Sequence, residues 1–307
     1  MPVWLELVLR SGRSAVEIAF LTLLPIMLVV LCVLRLLEHW GLLERLLRLL
    51  APLLQRLGLT GLGLLAALQM SFVSFAAPVT VLGLMDQRGE APRHLAATLA
   101  MVLTLAQANV LFPMAALGLE LGRTLLFSWI GGLAAAWLTY YGWARRLPPP
   151  TTAPTPLPPA PPHTLLAVLQ QAGHDALRIA VAALPMLAMA LLLVGALQLL
   201  GAVEGLFGLL APLLQPLGID HTLFLQTLTK YIGGGMALLG LEMQAASDGV
   251  LDVARMNTQA GWLLHATDLP GLAVLCAAGP RVAAVWRPAL LGAGCGIALR
   301  SMLHAWA

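Results

Sequence analysis

Lysine is almost missing from this chain: Lys230 is the one lysine among 307 residues, and the other permanently cationic side chains are arginine. Charge of either sign is scarce, at 10% of residues, where soluble domains carry roughly 25%. No run of basic residues offers a nucleic-acid surface. Cys32, Cys276 and Cys295 stand singly in apolar sequence, without the close Cys or His spacing of a metal site, and read as small buried apolar residues. There is no GxxxxGK[ST] phosphate loop, so a nucleotide-driven pump is not encoded here. Paired carboxylates and a Ser, His and Asp constellation are also missing, which argues against an enzyme or a bound cofactor.

What is present is apolar sequence, 60% of the chain. Val16–Leu37, Leu95–Leu117, Leu125–Tyr141, Ile179–Leu200 and Val282–Leu303 each approach the ~20 residues that a helix needs to cross the hydrocarbon core. They are rich in Leu, Ala and Met without period-two alternation, so the expected class is an all-α integral membrane protein rather than a β-barrel. The lipid bilayer is its first partner. No small-residue cleavage site follows Val16–Leu37, which reads as a retained helix.

The chain repeats itself. "LLAPLLQRLG" at Leu49–Gly58 returns as "LLAPLLQPLG" at Leu209–Gly218, and the same offset of about 160 residues superposes Pro25 on Pro185 and Gly41 on Gly201. Further on, "VLGLMDQ" at Val81–Gln87 resembles "LLGLEMQ" at Leu238–Gln244. A duplication predicts two membrane repeats, residues 1–147 and 163–307. Between them, "PPPTTAPTPLPPAPP" at Pro148–Pro162 cannot form a helix and reads as an extended aqueous linker. At about 3.1 Å per residue it reaches on the order of 45 Å.

Each repeat follows one plan. A proline-bearing helix leads into an amphipathic surface segment, Leu42–Gly58 or Ala202–Gly218. An interrupted segment follows, weakened by Ser71, Ser74 and the Ala76–Pro78 step in the first copy and by Gly233, Gly234 and Gly235 in the second. Broken helices are tolerated at membrane depth only where the backbone faces protein or a water-filled cavity. Two further helices close each repeat, with polar breaks at "LAQANVLFP" and "LHATDLPG". Arg45, Arg48 and Arg56 crowd the first amphipathic segment while its counterpart carries Glu204, which favours opposite faces, inverted repeats and re-entrant breaks.

Lys230 lies at the start of the second break, where the first copy has Met70. A lysine at mid-membrane costs about 2.5–3.5 kcal/mol and needs a partner or water. Asp268, in the second polar break of the same copy, is the expected partner, with His265 one helical turn earlier at i, i+3. One reading makes Lys230 and Asp268, with His265, Thr229, Thr267 and the glycines, a substrate or proton site. The other makes them a structural pair that pins two helices. In the first copy, Ser71 and Ser74 are expected to face Gln107 and Asn109, offering hydroxyls and amides to a polar solute or packing the helices. Arg35 and Glu38, at i, i+3, read as a snorkelling pair.

The proline-bearing helix, then "GLLERLLRLLAPLLQRLGLTG" at Gly41–Gly61, then a small-residue break before "AAPV", resembles the Gate or nucleoside recognition domain. That domain is shared by concentrative nucleoside transporters, the membrane part of ferrous iron transporters, and the paired spore maturation proteins A and B. The resemblance implies two Gate domains in one polypeptide, similar to a fused spore maturation pair, in a bacterial inner membrane. The iron transporters carry a cysteine shortly before the proline of the first break, where this chain has Phe75, Ala76 and Ala77. Two functions follow: a transporter or permease for a small polar solute, nucleoside-like or a lipid-linked precursor, or a non-transporting scaffold or assembly factor. Association into a homo-oligomer is compatible with either.

Overall fold

A computed structural model of the chain describes residues 2–41, 45, 54–148 and 164–307. The proline-rich linker, but for Pro148, and most of the first amphipathic segment, including Glu44 and Arg48, lie outside the described residues, as does the side chain of Glu38. Everything with regular structure among the described residues is helical.

The first half opens with α1 (Val3–Glu17), a π-helical turn (Ile18–Leu23) and α2 (Leu24–His39). The wide turn directly precedes Pro25, which has no amide hydrogen to return to the previous turn. Next come α3 (Gly61–Phe72) and α4 (Pro78–Gln87), α5 (Pro92–Thr104) and α6 (Ala108–Ala116), and α7 (Leu121–Leu138). The second half contains α8 (Leu165–Leu199), α9 (Ala202–Leu214), α10 (His221–Ser247), α11 (Val253–Leu263), α12 (Leu269–Cys276), α13 (Pro280–Ala284) and α14 (Trp286–Trp306).

Among the described residues, four stretches are long and apolar enough to cross a membrane: Val3–Leu37, Pro92–Ala116, Leu121–Trp143 and Leu165–Leu199. The expected span at Leu95–Leu117 is not one helix: it stops at Thr104 and restarts at Ala108. The expected span at Val282–Leu303 is likewise divided at Val285 into α13 and α14. α9 fits a surface-lying segment, with Leu209 and Leu213 exposed as they would be to lipid.

Both interrupted segments are helical hairpins. At about 1.5 Å per residue, α3 is about 18 Å long, too short to span, and α4 follows after the non-helical residues 73–77. α10 reverses at Gly234, whose φ of 82° and ψ of 179° suit glycine alone. Gln226 Nε2 donates to Glu242 Oε1 at 2.7 Å, although a straight helix would hold residues sixteen apart at about 24 Å. The chain therefore folds back on itself about Gly234.

Each hairpin is closed at its open end by its N-cap. Thr60 Oγ1 accepts from Gly63 N and donates to Glu90 Oε2 at 3.1 Å. Asp220 caps α10 by accepting from Leu223 N and pairs with Arg255 of α11. Burial holds the Glu90 carboxyl above its ordinary pKa against the lowering effect of Thr60, whereas the Arg255 hydrogen bond holds Asp220 below its own.

The two halves interpenetrate. One apolar core joins α3, α4, α5 and α7 to Leu275, Val282 and Ala289 of the second half. The other joins α1, α2, α8 and α10 to Val110, Leu111 and Met114 of α6. α7 and α14 touch backbone to backbone: a Cβ on Gly131 would lie 2.7 Å from the Gly296 carbonyl, the close approach that small residues permit between membrane helices.

Candidate functional site at the crossing of two interrupted helices

The breaks in α5–α6 and α11–α12 cross at the centre of the molecule. Ala266 N and Thr267 Oγ1 both donate to the Leu103 carbonyl, at 2.9 Å each. Gln107 Nε2 donates to the His265 carbonyl at 3.2 Å, and Ala106 N donates to Ser128 Oγ of α7 at 2.7 Å. Interrupted helices leave backbone groups without intrahelical partners, and here each break supplies partners to the other.

Both hairpin tips dock on this crossing. Asn109 holds them together: its Oδ1 accepts from Phe75 N at 3.1 Å, and its Nδ2 donates to Met236 Sδ at 3.0 Å. The tip of α10 is wedged so closely that a Cβ on Gly235 would lie 2.7 Å from Gln107 Oε1. Lys230, on the inbound arm of the same hairpin, donates to Asp268 Oδ2 in a direct ion pair. Its side chain has no exposure and that of Asp268 has 1%. Asp268 is also the N-cap of α12, its Oδ1 accepting from Gly271 N at 2.6 Å, so its charge meets the positive end of that helix as well as the ammonium.

The pair expected from the sequence is thus formed, but its surroundings differ from those expected. His265 and Asp268 do not share a helical face: His265 lies in the crossover between α11 and α12, outside either helix, and Asp268 begins α12. Its Nδ1 accepts from Thr267 N at 3.0 Å while Nε2 meets Tyr231 Oη at 3.2 Å, an arrangement that leaves the imidazole uncharged. Ser71 and Ser74 do not bond Gln107 or Asn109: the amide of Phe75 takes Asn109, and Gln107 turns to the second half. The hydroxyls of Ser71 and Thr229 are buried with no hydrogen-bond partner among the described residues. Arg35 also reaches across to Asp175 of α8 at 2.9 Å and so ties two helices together; its expected partner, the Glu38 side chain, lies outside the described residues.

Sequence reasoning missed Arg300. It is fully buried in α14, where Nη1 donates to the Thr104 carbonyl at 2.6 Å and Nη2 to the Ala260 carbonyl at 3.4 Å. It thereby caps the carbonyl ends of α5 and α11. A single arginine in an apolar helix resembles a headgroup anchor, and nothing in its neighbourhood distinguishes it. Tyr231 was also missed as the partner of His265. A cavity of about 10 Å³ adjoins Thr229 and Gly233 among apolar residues of α8 and α10, room for about one water.

Residues 20–124 match the family model described as Gate, nucleoside recognition. The resemblance seen in the sequence is therefore found again in the first half, over the proline-bearing helix, the first hairpin and the first broken helix. Solved structures share the fold across nearly the whole chain, among them several states of CNTnw, a concentrative nucleoside transporter. A variant of it in an outward-facing state matches at 18% identity with a TM-score of 0.68, covering 96% of this chain and 82% of that one. CNTnw in an inward-facing, substrate-bound state matches at 18% identity and 0.66, covering 93% and 73%. A further variant in an intermediate state matches at 17% and 0.68, covering 97% and 82%. No curated protein sequence matches this chain. The protein is an all-helical membrane protein with the fold of these transporters.

Proposed function

We propose that this chain is a multi-pass transporter of a cell membrane, the bacterial inner membrane, moving a small polar solute through the crossing of its two broken helices. The solute is of the nucleoside-like or lipid-linked precursor class, and its polar contacts come from Lys230, Asp268, His265, Thr229, Thr267, Gly233–Gly235, Ser71, Ser74, Gln107 and Asn109. The observation that carries this reading is the convergence of two hairpin tips and two crossed breaks on one buried ion pair. Discontinuous helices meeting at mid-membrane are a transporter design.

Residues 1–147 and 163–307 act in this reading as two repeats of opposite orientation, joined by 148–162. Two sets of contacts support the inversion. Arg281, after α12, donates to the carbonyls of Asp86 and Glu90 at the open end of the first hairpin. Asn257, one turn into α11 and near the open end of the second hairpin, bonds Gly118 O and Glu120 N after α6.

A second reading, a non-transporting assembly factor, draws on the dryness of the ion pair. Uptake of radiolabelled nucleosides and related polar solutes into proteoliposomes separates the two. Saturable uptake that is lost in Lys230→Met supports transport. Absence of uptake of every solute, with a stable fold, supports the assembly reading.

A further inference from the structure

The four interruptions, two hairpin tips and two broken helices, each turn one helix C-terminus and one N-terminus toward the centre. Their partial charges of about −0.5 and +0.5 cancel over the set. What remains is the charge of side chains. Lys230 and Arg300 are both fully buried there, and Asp268 is the one carboxylate bonded to either among the described residues. His265 accepts through Nδ1 and adds no charge. Glu242, the other buried carboxylate of this hairpin, is bonded to Gln226 one turn further toward the open end, so the crossing itself holds two positive groups against one negative, an excess of one positive charge in a medium where charge is poorly screened.

We propose that the centre recognises a solute through a single negative charge, such as a carboxylate, which takes the place of Asp268 on the Lys230 ammonium. This rests on the solute-binding reading above and narrows its class. A monoanion brings the centre to neutrality, whereas a cation raises its charge to two. Arg300 stays on its two carbonyls and contributes field, not contact. In this exchange Asp268, which holds the ammonium in a direct buried pair, gives way to the anion of the solute. Since the neighbouring cavity has room for about one water, entry requires the second hairpin to move.

The test compares matched ligands on the full chain in lipid nanodiscs: uridine against uridine 5′-carboxylate, and benzamide against benzoate. Equilibrium binding is expected to favour the carboxylate member of at least one pair by tenfold or more. Lys230→Met and Arg300→Met should each bring that ratio close to one. Lys230→Arg should preserve it, so that a folding defect in the methionine variant cannot imitate the result. Equal or tighter binding of the uncharged members overturns the proposal and leaves the solute-binding reading standing. Binding of none of the four ligands counts against both.

Discussion

The two hairpins use one geometry and opposite chemistries. In the first, the bend spends residues 73–77 and a proline, the inbound arm carries Met70, and the tip is held by one amide on Asn109. In the second, one glycine makes the bend, the inbound arm carries Lys230 at the aligned position, and the arm is held by an ion pair to Asp268. Met70 and Lys230 are equally buried. Burial in these hairpins is therefore set by the fold, and charge has been added to only one of them. In the proposed transporter, the neutral hairpin serves as a wall and the charged one carries the contact that a ligand exchanges.

The largest effect is expected where that difference is erased. Lys230→Met copies the first hairpin into the second but strands the Asp268 carboxylate, and breaking a buried pair from one side costs roughly 3–5 kcal/mol. Thermal unfolding in nanodiscs should show the loss, and solute uptake should fall to background. The double variant Lys230→Met with Asp268→Asn should recover most of the stability and none of the uptake. Recovery of both would make the pair structural.

Arg300→Met tests whether the crossing, shared by both hairpins, needs its cap. The Thr104 and Ala260 carbonyls lose a charged donor, worth roughly 1.5–3 kcal/mol for a hydrogen bond of this kind. Gly234→Ala should cost roughly 1–3 kcal/mol, because a side chain is strained at that φ. The corresponding change in the first hairpin, Ala76→Gly, should leave its tip conformation intact. Both are read from unfolding midpoints.

How much of this was legible beforehand follows from the kind of signal each residue carries. Lys230 and Asp268 stood out because a charge in apolar sequence must find a partner, so the pair could be read from composition alone. The duplication exposed the hairpins, since both copies are interrupted at aligned positions. The crossing was not legible. The bonds from Ala266 N and Thr267 Oγ1 both end on the backbone carbonyl of Leu103, some 160 positions away, and no local pattern announces them. His265 departs from its expected place for a related reason: i, i+3 periodicity assumes a helix where the chain bends between two helices.

Smaller effects are expected at the open ends of the hairpins. The Glu90 carboxyl has a pKa raised by burial, so its contribution to stability is present at low pH and is lost as pH rises through the folded value. Glu90→Gln should flatten the fall in stability above about pH 4.5, the usual range of a glutamate, while the Thr60 contact persists. The opposite sign applies to Asp220, lowered by Arg255: its contribution is present at neutral pH and is lost as pH falls through the lowered value. Both partners are partly exposed, so Asp220→Asn should cost at most about 1 kcal/mol. Unfolding scans across pH 3–8 check both.

Because the chain has a single lysine, Lys230 can be followed without interference from any other side-chain amine. The most direct measurement is its modification by a water-soluble amine reagent in proteoliposomes, quantified by mass spectrometry of the peptide containing it. Slow labelling at rest, accelerated by Asp268→Asn and by a transported solute, is the predicted result. Rapid labelling at rest that neither change alters would place the ammonium in water, and would contradict a buried, exchangeable pair at the crossing.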